Sequence, residues 1–377
     1  MRVTTSRPAL STRLELGGAL AAVKRPGVVR LPGLPTPAPA SGKLLIVNKG
    51  VAPYSPRLPN EKKNQSDLMV VDLKTGRVAS RVALPDQSHE LALSADGRWA
   101  AIPHFVKKLP GKPNAAGSAI TLLDLERKKQ RLIELPGYTG AHGLQWLDAD
   151  RVAVTVDGKP GVTENGFILE VNLRTSKIER ELPTRQADTH LVKLSKDKKT
   201  YFATDLSGTF TAIDRASGKQ TKLMRTGDGT EGFDLSPDGK ELWVAASWTG
   251  RITVLDAKTL ERKGFIDSPG GPLRVLFTPD GKNVLVSHYD SNDVAVIDAR
   301  TRKEVTRIPL VVGKISRDGV AKRSTGGPIM AALHPTAHQG FVASEEAGVV
   351  TVFDTKTWKV TGYIKAGTAP DPLAFVG

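Results

Sequence analysis

The chain has no cysteine, and only 5% of its residues are aromatic. Without thiols it has no disulfides, no thiolate metal sites, no cysteine nucleophile and no C-x-x-C-H haem attachment. Nucleic-acid binding needs exposed aromatics interleaved with basic residues, and so few aromatics argue against it. No apolar run approaches the roughly 20 residues of a membrane-spanning helix, so no transmembrane segment is expected. Acidic residues are outnumbered as well, with 39 Asp and Glu against 54 Lys and Arg, a formal charge of +15. That excess favours a small anionic ligand or an acidic partner protein.

What the chain does have is a repeat, clearest over residues 230–310. TEGFDLSPDGKELWVAASWTGRITVLD is followed, 42 residues on from Asp256 to Asp298, by a second copy of the same pattern. Repeats of this period decide the architecture and are sought first. Each copy holds an alternating strand, an Asp-Gly turn, an apolar strand, a third strand ending in Asp or Asn, and a fourth. The third-strand marker occurs seven times, at Asp72, Asp124, Asn172, Asp214, Asp256, Asp298 and Asp354. The first-strand anchors are Leu93, Trp146, Leu194, Leu235, Phe277, Leu333 and Phe375. Turns such as Pro237-Asp238-Gly239 and Pro279-Asp280-Gly281 supply the positive φ of tight hairpins. With no helical period, the pattern predicts an all-β, seven-bladed β-propeller of four-stranded blades. The first copy lacks an inner strand and the last residues match one. The C-terminal strand is therefore expected to join blade one and close the ring.

Residues 1–41 stand outside the repeat and residues 42–377 form one propeller domain. Arginines precede an apolar stretch at 14–23 that carries Glu15, and Ala38-Pro39-Ala40 resembles a cleavage site. A degenerate signal peptide and a Pro-rich leader both fit.

The repeat resembles the YVTN-type, YncE-like propellers, whose consensus runs close to P-x-x-V-A-F-S-P-D-G-K-x-L-Y-V-T-N and then V-x-V-I-D. Residues 272–298 and 233–256 carry the resemblance most clearly. It implies a periplasmic or secreted protein, and a monomer is expected. It leaves the activity open, because propellers of this kind hold haem, copper or Mg²⁺, open lactones or dock proteins.

Strand alternation puts the start of each inner strand and the end of each second strand at one end of the channel. One residue per blade then falls on that rim: Asp371, His89, His142, His190, Glu231, Leu273 and Ile329 for blades one to seven. The ends of the second strands add His104, Asp205 and His288, whereas His334 and His338 fall in a far-side hairpin as surface residues. Imidazoles from successive blades suggest copper, iron or zinc held by His89, His142, His190 and His104. Glu231 and Asp371 are the candidate proton acceptors. Trp248, Tyr289, His288 and Arg274 are the candidate contacts for a bound ligand or cofactor. Long loops at 51–66, 105–118, 158–166 and 313–327 bring lysines and arginines, Lys159 among them, as a basic collar. The open readings are a binding propeller for a small anionic ligand or cofactor, a metal-dependent oxidoreductase, lyase or lactonase, and a protein-interaction scaffold.

Overall fold

The computed structural model describes residues 28–29, 40–50, 66–85, 87–105, 118–159, 161–310 and 327–377. These contain strands and no helix, so none is long and apolar enough to cross a membrane. Seven antiparallel sheets follow one another around a ring, each with four sequence-ordered strands, A innermost to D outermost. The exception in order is blade one, where Pro370–Val376 pairs with Lys43–Asn48, so that Leu44 faces Phe375 and Ile46 faces Leu373. The last strand thus closes the ring, as the repeat predicts, and removes an open edge from the innermost layer.

The burial pattern follows from the stacking of blades. B and C strands are covered on both faces by neighbours, so Leu44, Leu45, Ile46 and Val47 are all buried. D strands form the outer wall and alternate, as in Arg77–Ala83. The core is therefore a ring of inter-blade clusters, such as Trp243, Val254, Phe277 and Val286 between blades five and six.

The recurring third-strand Asp has a local cause. Asp256 Oδ1 accepts from the backbone of Lys258 and Thr259, both at 2.9 Å, and Asp298 Oδ1 accepts from Thr301 at 2.7 Å. The side chain closes the C–D turn as an Asx motif.

Two parts of the fold depart from the sequence reading. Val28–Val29, within the segment set apart as a leader, pairs antiparallel with Ile364 and Tyr363 as a fifth strand on blade seven. His334 is not a surface residue: it is buried, with Nε2 2.8 Å from the Ser41 carbonyl and Nδ1 accepting from Ala337 at 2.8 Å. The turn needs an acceptor for its own amides, and the ring supplies it.

Candidate functional site at the channel mouth

The inner strands break register where the rim residues sit. Shifts fall between Thr189 and Val192, Thr230 and Phe233, Pro272 and Arg274, and Pro328 and Ala331. A bulge turns two successive residues out of the ladder and re-aims their side chains. Both members of a pair therefore reach the channel, such as Leu273 with Arg274. Hydroxyls on the B strands hold the bulges by bonding to the next blade. Thr155 Oγ1 donates to the His190 carbonyl (2.6 Å), Thr204 Oγ1 to that of Glu231 (2.7 Å), and Ser287 Oγ to that of Ile329 (2.7 Å). Glycine after the rim residue permits the close approach: a Cβ on Gly143 would lie 2.6 Å from the His190 carbonyl oxygen.

The bulged residues enclose a cavity of about 390 Å³. All seven rim residues named from the sequence line it, and so do Trp248, Tyr289 and Arg274. His89, His142 and His190 form a column, with ring centroids 4.4 and 3.9 Å apart, and Phe105 packs on the first two.

Charge is distributed by depth. Arg274 is buried at the floor, and its Nη2 donates to Glu90 Oε1 at 2.8 Å across the channel. The same oxygen lies 3.7 Å from His142 Nδ1. Arg274 Nε and Nη1 have no hydrogen-bond partner among the described residues. Lys49 is held between Asp371 (3.1 Å) and Glu345 (3.0 Å). Burial alone would depress the Lys49 ammonium, but these two carboxylates outweigh it and hold the group above the ordinary lysine range. Burial raises the Glu90 carboxyl even though Arg274 opposes it. Burial, then the neighbouring His190 and His89, keep His142 well below the usual histidine range, so it is a neutral imidazole at pH 7. Glu231 is pushed up to about 7 by burial, with Arg274 working against the shift.

Two histidines stand apart from the cavity. His104 Nε2 is 2.7 Å from Thr121 Oγ1 and its Nδ1 3.4 Å from Ser88 Oγ. His288 Nε2 is 2.8 Å from Ser268 Oγ and its Nδ1 3.2 Å from Asp293 Oδ1. Asp205 likewise folds back on Ser207. The cause is a slip of one residue: the last residue of strand B points into the blade interface, and the next one points to the channel. That next position holds Lys49, Ser247, Tyr289 and Glu345, all of which line the cavity. Sequence reasoning missed Lys49, Glu345 and Glu90, and counting one step beyond the strand would have found the first two.

Lys159 is not part of a collar over this mouth, since its ammonium is 2.6 Å from Glu181 Oε2 on an outer strand and lies over the Tyr138 ring. The other collar lysines and arginines lie outside the described residues.

A three-histidine shell needs ring nitrogens converging about 2.0–2.1 Å from one point. The rings are tilted by 54° and 36° to their neighbours, and among the described residues no group of three or more His, Asp or Glu is arranged to hold an ion. His104 is on the far side of its strand from the column.

Residues 205–322 match a family described as a YNCE-like beta-propeller, and the seven-bladed ring agrees with it. The chain is a seven-bladed β-propeller with a YncE-like stretch at residues 205–322. No curated protein matches this chain. Among solved structures it is similar to the periplasmic gluconolactonase of Pseudomonas aeruginosa, at 16% identity over 89% of this chain and 99% of that one, TM-score 0.66. It is also similar to Kuenenia stuttgartiensis hydrazine synthase, at 18% identity over 78% and 91%, TM-score 0.60. A third is a protein of unknown function from Desulfotomaculum acetoxidans, at 14% identity over 89% and 99%, TM-score 0.65. At such identities the likeness is one of fold.

Proposed function

We propose that this propeller binds a small molecule at the channel mouth, seating an anionic group of the ligand on Arg274. The supporting observation is the pair of unpartnered donors, Nε and Nη1, on a buried guanidinium that lines the cavity. Leaving buried donors unmet costs about 1–3 kcal/mol each, more on a charged group, and a ligand carboxylate offsets that cost. Glu90 takes one donor and fixes the plane of the guanidinium, leaving the rest of the fork for a ligand. The bulged rim and its hydroxyl ties hold the site in place before any ligand arrives.

The test is a thermal-shift panel of small carboxylates, phosphate and neutral sugars on the full chain and on Arg274→Gln. A carboxylate that stabilises the native protein and loses its effect in the variant supports the reading. An equal shift in both proteins overturns it.

A second reading is hydrolysis in the same cavity, favoured by Glu231. A carboxyl that titrates near neutrality is suited to take a proton from attacking water and return it to a leaving oxygen. The periplasmic gluconolactonase suggests sugar lactones as the substrates to try. Lactone opening that is abolished in Glu231→Gln supports turnover, and a native rate equal to the buffer rate excludes it.

A further inference from the structure

The charges around the cavity do not suit a simple anion. Among the described residues, Glu231, Asp290, Glu345 and Asp371 line it together with two cations, Lys49 and Arg274. Glu90 brings a fifth carboxylate to the floor. Lys49 is already shared by Asp371 and Glu345, so its charge is matched twice over. Among the described residues no lysine or arginine makes an ion pair with Glu231 or Asp290. A ligand bearing only negative charge meets one cation with donors to spare and an excess of carboxylates around it.

Asp371 is buried beside Lys49 and Glu90 beside Arg274, which leaves Glu231 and Asp290 as the lining carboxylates without a basic partner among the described residues. The guanidinium with spare donors is buried, whereas Asp290 and Trp248 are exposed, Trp248 at 76%. Trp248 and Tyr289 line the same cavity. Carboxylates beside aromatic faces are the surroundings in which proteins hold ammonium groups. We infer that the ligand is a zwitterion, a small amino acid with its carboxylate on Arg274 and its ammonium toward Glu231, Asp290 and Trp248. This rests on the Arg274 reading and adds the opposite charge to it.

The experiment is calorimetry on the full chain with a matched set of probes: 4-aminobutyrate, 2-aminobutyrate, butyrate and butylamine. The zwitterion account expects one of the amino acids to bind at least about tenfold tighter than butyrate or butylamine, about 1.4 kcal/mol. Asp290→Asn and Glu231→Gln, alone or together, should shrink that advantage while leaving butyrate bound as tightly or more tightly. Butyrate binding as well as both amino acids overturns the zwitterion and leaves the anion site standing. An amino-acid advantage untouched in the double variant also overturns it. Binding of butyrate or of the amino acids that is unchanged in Arg274→Gln removes the anion site, and the zwitterion falls with it. No binding by any of the four rejects the amino-acid assignment, while the carboxylate panel still judges the anion site.

Discussion

Glu90 Oε1 and Arg274 Nη2 are 2.8 Å apart although 184 residues separate them in the chain. The contact spans the channel from blade two to blade six, and both side chains are buried. It sets the orientation of the one guanidinium that, among the described residues, lines the cavity.

Breaking this pair from one side strands a buried charge. Glu90→Ala should lower stability by about 3 to 5 kcal/mol. Glu90→Ala with Arg274→Met, which removes both charges, should recover most of that loss. Urea unfolding of the three variants checks it, and a double variant no more stable than Glu90→Ala would show that the pair is not the cause.

Glu231 makes stability and binding depend on pH. Its native carboxyl holds a proton up to about pH 7, whereas in the unfolded chain it releases it near the ordinary value of 4.5. The native state therefore binds more protons between these limits, and stability falls as pH rises through that window. Glu231→Gln should lack this slope and gain about 2 to 3 kcal/mol over the native protein by pH 8. Carboxylate binding should weaken from pH 6 to pH 8 in the native protein and change little in Glu231→Gln. Thermal unfolding and titration across that range test both signs.

The inter-blade hydroxyls are the supports of the rim. Thr204→Val removes the 2.7 Å bond to the Glu231 carbonyl at almost constant volume. It should cost about 1 to 2 kcal/mol in urea unfolding. Ligand affinity should fall with it, because the bulge carrying Glu231 loses its anchor. A neutral result would mean that the ladder alone shapes the bulge.

His104 and His142 should behave differently. His104→Ala removes the link to Thr121 and should destabilise the blade while leaving ligand affinity unchanged. His142→Ala opens the middle of the imidazole column in the cavity wall and should change affinity. Calorimetry of both variants separates them.

The fold was legible because each blade repeats one local chemistry. The Asp that closes the C–D turn and the Asp-Gly hairpin are dictated by neighbours in the chain, so Asp256 and Asp298 announce themselves. Ring closure was legible too, because Leu373 and Phe375 match an inner strand that the first copy lacks. The site was legible only in part. One residue per rim position followed from alignment, and His89, His142, His190 and Glu231 came together as expected. Which way a side chain points at the end of a strand depends on a single step of alternation, and that step misplaced His104 and His288 while hiding Lys49 and Glu345. Glu90, and with it the contact to Arg274, was hidden for a different reason. That contact runs straight across the ring, and no local pattern relates residues of blade two to those of blade six.

The most direct test of the account is a crystal structure of the native protein with its best-binding carboxylate. The account predicts a ligand oxygen within hydrogen-bond distance of Arg274 Nε or Nη1, with Glu90 still on Nη2. A ligand lodged elsewhere, with those two nitrogens turned away from it, would contradict it.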